Sequence, residues 1–295
     1  MDYVGRFAPS PTGPLHAGSL TTALASCLEA RSRRGRWLLR VEDIDTPRSL
    51  PGAAADILHM LERLGFTWDG PVVYQSQRLG RYEAALAILK RDHRCYACGC
   101  SRRELAEAEG ASAYPGYCRP RPRGVEPYAT RFRGDDAAAE CFDDQLQGRC
   151  SYPWPQLGDP VIRRRDQLFA YQLAVVVDDA DAGVTHVVRG CDLLDSTPWQ
   201  LALQRALGLP RLTYMHLPLV TNPDGGNLSK SASAAALLPL EPAAALRQAL
   251  RLLRQPLPAS HQHASVPELW RWATEHWQAS PLRGARELHG ERQES

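Results

Sequence analysis

The chain has almost no lysine. Of its 35 basic residues only Lys90 and Lys230 are lysine. Arginine therefore carries nearly all the positive charge, and a surviving lysine marks a place where a compact ammonium is not interchangeable with a guanidinium, as at a reacting phosphate. Lys90, at the end of an amphipathic stretch, reads as incidental. Also missing is any apolar run long enough to cross a bilayer, and the first residues show no basic segment followed by an apolar one. These absences predict a cytoplasmic protein that does not engage a membrane. The net charge is only +2, which excludes a uniformly basic nucleic-acid-binding chain. Arginine is nevertheless dense at 31–40, 119–133, 163–165 and 246–254, each a solvated face or a phosphate contact.

What is present is enough for one large domain with a subdomain, or two modest domains: 295 residues, 44% of them apolar. Three prolines and two glycines forbid regular structure over residues 9–18. Immediately afterwards Leu20, Ala23, Leu24, Cys27 and Leu28 recur at helical spacing until Gly35. A stiff loop thus delivers His16 and free backbone N–H groups to a helix N-terminus, which attracts anions. Residues 36–43 read as a buried strand ending in Glu42 and Asp43, the acid placement of a parallel α/β sheet at its ligand crevice. Amphipathic spacing predicts helices over 53–64, 79–89, 198–207, 240–254 and 266–277, and strands over 185–190 and 212–220, which brings Arg189 to the crevice edge. The run 169–179 is too short and too evenly apolar to separate helix from strand. Asp178, Asp179 and Asp181 behind it read as a solvated helix end in preference to a metal-binding acid group. Asn227-Leu-Ser-Lys-Ser231 follows a glycine-containing turn, where a lysine between hydroxyls can follow moving phosphate charge.

Eight cysteines, with Cys95, Cys98 and Cys100 close together, suggest a metal site more than disulfides. Cys98-Gly-Cys100 precedes Ser101-x-x-Glu104, which has capping-box spacing, and Tyr114-Pro-Gly-Tyr-Cys118 adds a third thiol. Tetrahedral zinc needs a fourth ligand, for which His93 and Cys95 are the conventional nearby candidates. Cys27, Cys141, Cys150 and Cys191 read as structural or incidental. Residues 135–160 are expected to complete a small inserted subdomain, and a polar, disordered tail is expected to follow residue 277.

Pro9-Ser-Pro-Thr-Gly-x-x-His16-x-Gly-Ser19 resembles the first signature of class I aminoacyl-tRNA synthetases in its glutamyl/glutaminyl form. Leu39-Arg-Val-Glu-Asp-Ile-Asp-x-x-Arg48 looks like the glutamyl-type segment that holds a substrate amino group. Asn227-Leu-Ser-Lys-Ser231 resembles the second signature, with Asn227 where its first lysine would be, so only Lys230 can serve. Cys-x-Cys followed by Tyr-x-x-x-Cys is similar to the zinc site of glutamyl-Q tRNA(Asp) synthetases, truncated relatives of glutamyl-tRNA synthetase in which a tyrosine oxygen completes the coordination.

The resemblance implies an α/β fold, a class I Rossmann-type parallel sheet with an inserted zinc-binding subdomain and a short C-terminal helical region. It divides the chain into a first catalytic half (1–94), an inserted zinc-binding, acceptor-type subdomain (95–168), a second half with the LSKS loop (169–236), and a helical, stem-contact-like region with a polar tail (237–295), shorter than the anticodon-binding domains of full-length relatives. It implies an ATP-dependent ligase that activates L-glutamate and transfers it to the queuosine base in the anticodon of tRNA(Asp). Catalysis falls to His16 and Lys230. ATP is bound by Pro9, Ser10, His16, Gly18, Ser19, Ser229 and Lys230, with magnesium on its phosphates. Glutamate is bound by Arg6, Ala8, Ser10, Glu42, Tyr171 and Arg189. One structural zinc per chain is held by Cys98, Cys100, Tyr114 and Cys118, with Cys95 as the substitute for Tyr114. The partners are ATP, L-glutamate and queuosine-bearing tRNA(Asp), and the protein is expected to be a monomer. The alternatives are a truncated glutamyl-tRNA synthetase charging a tRNA 3′ end, a nucleotidyltransferase of similar fold, which would share the His-x-Gly turn but not need Arg6, Glu42 and Arg189 together, and a non-catalytic RNA-binding paralogue.

Overall fold

The computed structural model describes residues 2–107, 113–135, 138–221 and 241–289. Its first half alternates β1 (Val4–Phe7), α1 (Ala17–Ser32), β2 (Arg36–Val41), α2 (Ala53–Arg63), β3 (Val73–Tyr74) and α3 (Leu79–Arg91). The three strands form a parallel ladder in the order β1-β2-β3. The helices fall where the apolar spacing puts them. α1 is the central one: Leu20, Ala23, Leu24, Ala25, Leu28 and Ala30 are all buried, so nearly its whole circumference is covered.

The next stretch holds β4 (Cys95–Cys98), α4 (Arg102–Glu107), β5 (Ala129–Phe132), β6 (Ala139–Asp144), β7 (Gly148–Pro153), the short α5 (Trp154–Leu157) and β8 (Val161–Arg163). β4, β5 and β8 make an antiparallel sheet. The β6–β7 hairpin forms a separate two-stranded sheet. It reaches back to the second half, described next.

That half consists of α6 (Tyr171–Asp181), β9 (His186–Gly190), α7 (Thr197–Ala206), β10 (Thr213–Leu217) and β11 (Leu219–Thr221). β9 and β10 are parallel partners. Val4 N–H donates to Thr185 Oγ1 and Val4 O accepts from Thr185 N–H, both at 2.9 Å, so this pair is seated beside β1. Strands therefore run outward from β1 in both directions, and the crevice opens at the carboxyl ends of β1 and β9, the switch point of a doubly wound sheet. Gln145 N–H donates to Tyr214 O at 3.0 Å, tying the end of the hairpin to β10.

The ambiguous run 169–179 is the helix α6. Leu173 to Val177 are buried without interruption, which is why no periodicity shows. Of the aspartates at its end Asp181 is exposed, paired with Arg78 and Arg81, but the other two are not a solvated helix terminus. Asp178 and Asp179 are 2% and 3% exposed and hold arginines from three other segments.

α8 (Pro242–Leu252) and α9 (Val266–His276) close over α1, with Leu246, Leu250, Leu269 and Trp277 in the same apolar cluster as Leu24 and Leu28. The tail beyond residue 277 is ordered as far as β12 (Glu287–His289), which pairs in parallel with β11. Three residues around a single buried Leu288 give too short a pattern for the sequence to reveal a strand.

Candidate active site

The opening loop ends at His16, which caps α1. The helix starts at Ala17, three residues before its first periodic leucine, so Gly18 and Ser19 lie in its first turn rather than in the loop. His16 Nδ1 accepts from Ser19 N–H at 3.3 Å, and Nε2 lies 2.8 Å from Ser19 Oγ. Those partners assign the Nε2–H tautomer. Burial lowers the pKa of His16 against the opposing charge of Asp192, so the ring is neutral at pH 7. Gly18 makes this possible, because a Cβ there would sit 3.3 Å from two atoms of the imidazole. In the first turn, the N–H groups of Ala17 and Gly18 have no intrahelical acceptor. Pro9 O accepts from Glu42 N–H at 2.9 Å, which ties the loop to the end of β2. In the same loop Ala8 is half-buried and Ser10 is exposed.

On the β1–β2 side Arg6 Nε donates to both carboxylate oxygens of Asp179, at 3.2 and 3.3 Å. Its terminal nitrogens make no hydrogen bond among the described residues. Arg40 bridges Asp179 (2.7 Å) and Glu42 (3.1 Å). Burial alone would raise the Asp179 carboxyl, but Arg6 and Arg40 hold it below the ordinary carboxylate range. Burial raises Glu42 despite Arg40 and Arg6. Asp178 anchors the next layer, accepting from Gln75 (2.8 Å), Arg78 (2.6 Å) and Tyr82 (2.8 Å). Asp43 does not join this group; it accepts from Ser76 N–H and Oγ.

Across the crevice Arg189 meets only uncharged partners. Its Nε donates to His216 Nε2 (3.0 Å), NH1 to Tyr171 OH (3.3 Å), and NH2 to Thr197 Oγ1 (2.8 Å) and Leu193 O (3.3 Å). Behind it His216 Nδ1 lies 2.6 Å from Asp144 Oδ2. His216 is pushed down to about 4 by burial and Arg189, against Asp144, so the contact is a hydrogen bond from a neutral ring and not an ion pair. Tyr171, raised by burial, feels the charges of Arg189, Glu42, Arg6 and Asp179 together. Arg6, Glu42, Tyr171 and Arg189 thus converge on one place. Of the residues that support them, Asp144 and His216 were not singled out in the sequence, and Asp179 was read there only as part of a solvated helix end. The only signal was their polarity inside apolar or helix-terminal runs, since their partners lie far away in the chain.

A second cluster lies at the β4 turn. The sulfurs of Cys98, Cys100 and Cys118 are all within 4.8 Å of one another, and all three side chains are mostly or wholly covered. Cys100 Sγ is 3.5 Å from Cys118 Sγ. Tyr114 OH lies 3.4 Å from Cys98 Sγ and 3.9 Å from Cys100 Sγ, and accepts from Cys118 N–H at 2.9 Å. Cys95 packs instead against the apolar cluster of Leu86, Leu89 and Phe132. Burial would raise the Cys118 thiol, but hydrogen bonds from Tyr114 and from backbone N–H groups hold it at about 7. Arg131 donates to Cys98 Sγ at 3.3 Å and stacks on Tyr114. Zinc bonded to sulfur at about 2.3 Å in a tetrahedron sets sulfurs about 3.8 Å apart. Three soft donors at this spacing, with an oxygen among them, fit such an ion.

Ser229 and Lys230 lie outside the described residues. Among the described residues no helix is long and apolar enough to cross a membrane.

The chain matches the family of tRNA synthetases class I (E and Q), catalytic domain, over residues 3–238. It is 52% identical over 283 residues to the glutamyl-Q tRNA(Asp) synthetase of Dechloromonas aromatica, covering 93% of this chain and 94% of that one. With the protein of the same name from Chromobacterium violaceum it shares 52% identity over 284 residues, 94% of each chain. Among solved structures it is similar to a glutamate tRNA ligase from Elizabethkingia meningosepticum in complex with its amino acid, with a TM-score of 0.79, 26% identity, and coverage of 99% of this chain and 67% of that one.

Proposed function

The chain belongs to the glutamyl-Q tRNA(Asp) synthetase family within the class I tRNA synthetases (E and Q), and from that premise we propose that it activates L-glutamate with ATP and transfers it to the queuosine base in the anticodon of tRNA(Asp). The observation that carries this reading is the meeting of two guanidiniums, Arg6 and Arg189, with Glu42 and Tyr171 at one crevice. Glutamate has two carboxylates and one ammonium. A guanidinium for each carboxylate, an acid for the ammonium and a phenol match that pattern, and the second guanidinium favours glutamate over glutamine.

In the first step a substrate carboxylate oxygen attacks the α-phosphorus of ATP, pyrophosphate leaves, and negative charge builds on the phosphoryl oxygens. Catalysis is then positioning and charge stabilisation. His16, neutral and carrying its proton on Nε2, would turn that donor from Ser19 Oγ to the phosphates at the N-terminus of α1, with Pro9, Ser10, Gly18 and Ser19 shaping the loop. Magnesium accompanies ATP. We assign Lys230, with Ser229 beside it, to the phosphates from the opposite side on the strength of the sequence pattern. Ala8 and Ser10 complete the amino-acid side. In the second step the activated carbonyl passes to the acceptor nucleoside and AMP leaves.

Cys98, Cys100, Cys118 and Tyr114 would hold one zinc, which when bound supplies a fixed crosslink for the insertion of residues 95–168. The catalytic halves are assigned to 1–94 and 169–236, and the helical closing region to 237–295. ATP, free glutamate and tRNA coexist in the cytoplasm, the compartment this reading assigns, and the protein is taken to act as a monomer.

The test is to supply radiolabelled glutamate, ATP and magnesium with tRNA that carries or lacks queuosine. Label is expected only on queuosine-bearing tRNA, together with glutamate-dependent ATP–pyrophosphate exchange. Equal labelling of both tRNAs would overturn the acceptor assignment, and absence of glutamate-dependent exchange would overturn the activation step.

A further inference from the structure

Among the described residues Arg189 uses four of its five N–H groups, which leaves one, on NH1 beside the Tyr171 hydroxyl, for the crevice. Which way that N–H points depends on the acceptor at the other edge of the guanidinium, His216 Nε2. For Nε2 to accept, the ring must be neutral and carry its proton on Nδ1. Asp144 provides for this. Its Oδ2 lies 2.6 Å from His216 Nδ1, and its Oδ1 is held by the N–H groups of Leu146 (3.0 Å) and Gln147 (2.9 Å). Both Asp144 and His216 side chains are fully buried, so no water competes for either contact. The Thr197 hydroxyl, 3.1 Å from His216 Nε2, accepts from Arg189 NH2 and donates to Leu193 O, which leaves the imidazole lone pair to Arg189.

We propose that Asp144 and His216 form a positioning pair: Asp144 fixes the Nδ1–H tautomer of His216, and His216 Nε2 then orients the Arg189 guanidinium that receives a carboxylate of the amino-acid substrate. The β6–β7 hairpin carrying Asp144 thereby takes part in setting amino-acid affinity. This inference rests on Arg189 being the carboxylate ligand in the proposed reaction.

Three substitutions separate positioning from general packing. Asp144→Asn keeps the shape and the bonds to Leu146 and Gln147, but its amide donates to His216 Nδ1. That moves the proton to Nε2, where it confronts the Arg189 N–H. His216→Asn removes the Nε2 acceptor, whereas His216→Gln places a carbonyl near it. In ATP–pyrophosphate exchange, D144N and H216N are expected to raise the KM for glutamate about tenfold, with the KM for ATP and the kcat at saturating glutamate within about threefold of wild type. H216Q is expected to recover most of the glutamate affinity. Imidazole 15N shifts, assigned to His216 by its loss in H216N, are expected to read Nδ1–H in the wild type. A wild-type ring protonated on Nε2 would overturn the proposal without reference to any activity. So would an unchanged glutamate KM in H216N, or equal rises in both KM values. A wild type without glutamate-dependent exchange would instead overturn the functional reading on which the proposal rests.

Discussion

The two walls of the crevice hold their arginines by different means. On the β1–β2 side, Arg6 and Arg40 are balanced by Asp179 and Glu42, two positive against two negative groups in direct contact. On the β9–β10 side, Arg189's hydrogen-bond partners among the described residues are an imidazole, two hydroxyls and a carbonyl, its guanidinium lies over the Tyr214 ring, and the balancing carboxylate of Asp144 stands one ring further back. A buried guanidinium clamped by a carboxylate is rigid but has part of its field cancelled where it stands. One held through a neutral ring keeps its full charge at the contact surface. The first wall suits a zwitterionic group, with an acid and a base side by side. The second suits an isolated carboxylate.

The largest way to break this contrast is to remove the clamp. Asp179→Asn leaves two buried guanidiniums without their shared counter-charge and is expected to cost about 3–5 kcal/mol of stability. Urea denaturation reads this, and a loss below about 1 kcal/mol would mean that the first wall is not held by charge. Acid is expected to separate the walls next. His216 lies at about 4, below its ordinary 6.5, so folding favours its neutral form. That contribution is complete above pH 6.5 and is lost as the pH falls through 4, up to about 3 kcal/mol at about 1.4 kcal/mol per unit. Asp179 and Asp144 are also lowered, so their contributions, present above the unfolded carboxylate value of about 3.9, are lost only at lower pH. Stability measured between pH 7 and 4 should therefore fall in the wild type and stay flatter in H216Q. The same slope in both would remove His216 from the account.

Arg189→Lys sharpens the contrast from the substrate side. A point charge without the planar fork is expected to lower kcat/KM for glutamate about 100-fold and to leave the KM for ATP within about threefold. The smallest effect belongs to Tyr171→Phe, which removes one hydrogen bond to the guanidinium. It should raise the glutamate KM about fivefold, roughly 1 kcal/mol, and no change would mean that Tyr171 does not orient Arg189.

What the sequence revealed and what it hid follows the same division. Helices α2, α3, α8 and α9 each have one wet face, so their apolar residues recur visibly. In α6 that pattern vanishes because Leu173 to Val177 are covered on every side. Arg6, Glu42, Tyr171 and Arg189 could be named from local motifs. Asp179 could not be, because a carboxylate at a helix end reads as solvated until arginines from distant segments are seen to converge on it. His216 sits within Tyr214-Met-His-Leu217 as one polar residue in a core strand, and its partner Asp144 lies in a stretch with no motif at all. The thiol cluster was legible as three cysteines and a tyrosine. That Tyr114 and not Cys95 stands among the sulfurs depends on the loop returning over β4, which spacing does not encode.

Arg189 and His216 are facing residues in the β9–β10 ladder, so their contact is measured out by main-chain pairing before any side chain chooses a rotamer. A shift of one residue in either strand would turn that strand's side chain, the guanidinium or the imidazole, to the opposite face of the sheet from its partner. The connection between the strands then adds Leu193 and Thr197 to the same guanidinium, and a single insertion or deletion inside either five-residue strand should abolish amino-acid recognition with every functional residue still present.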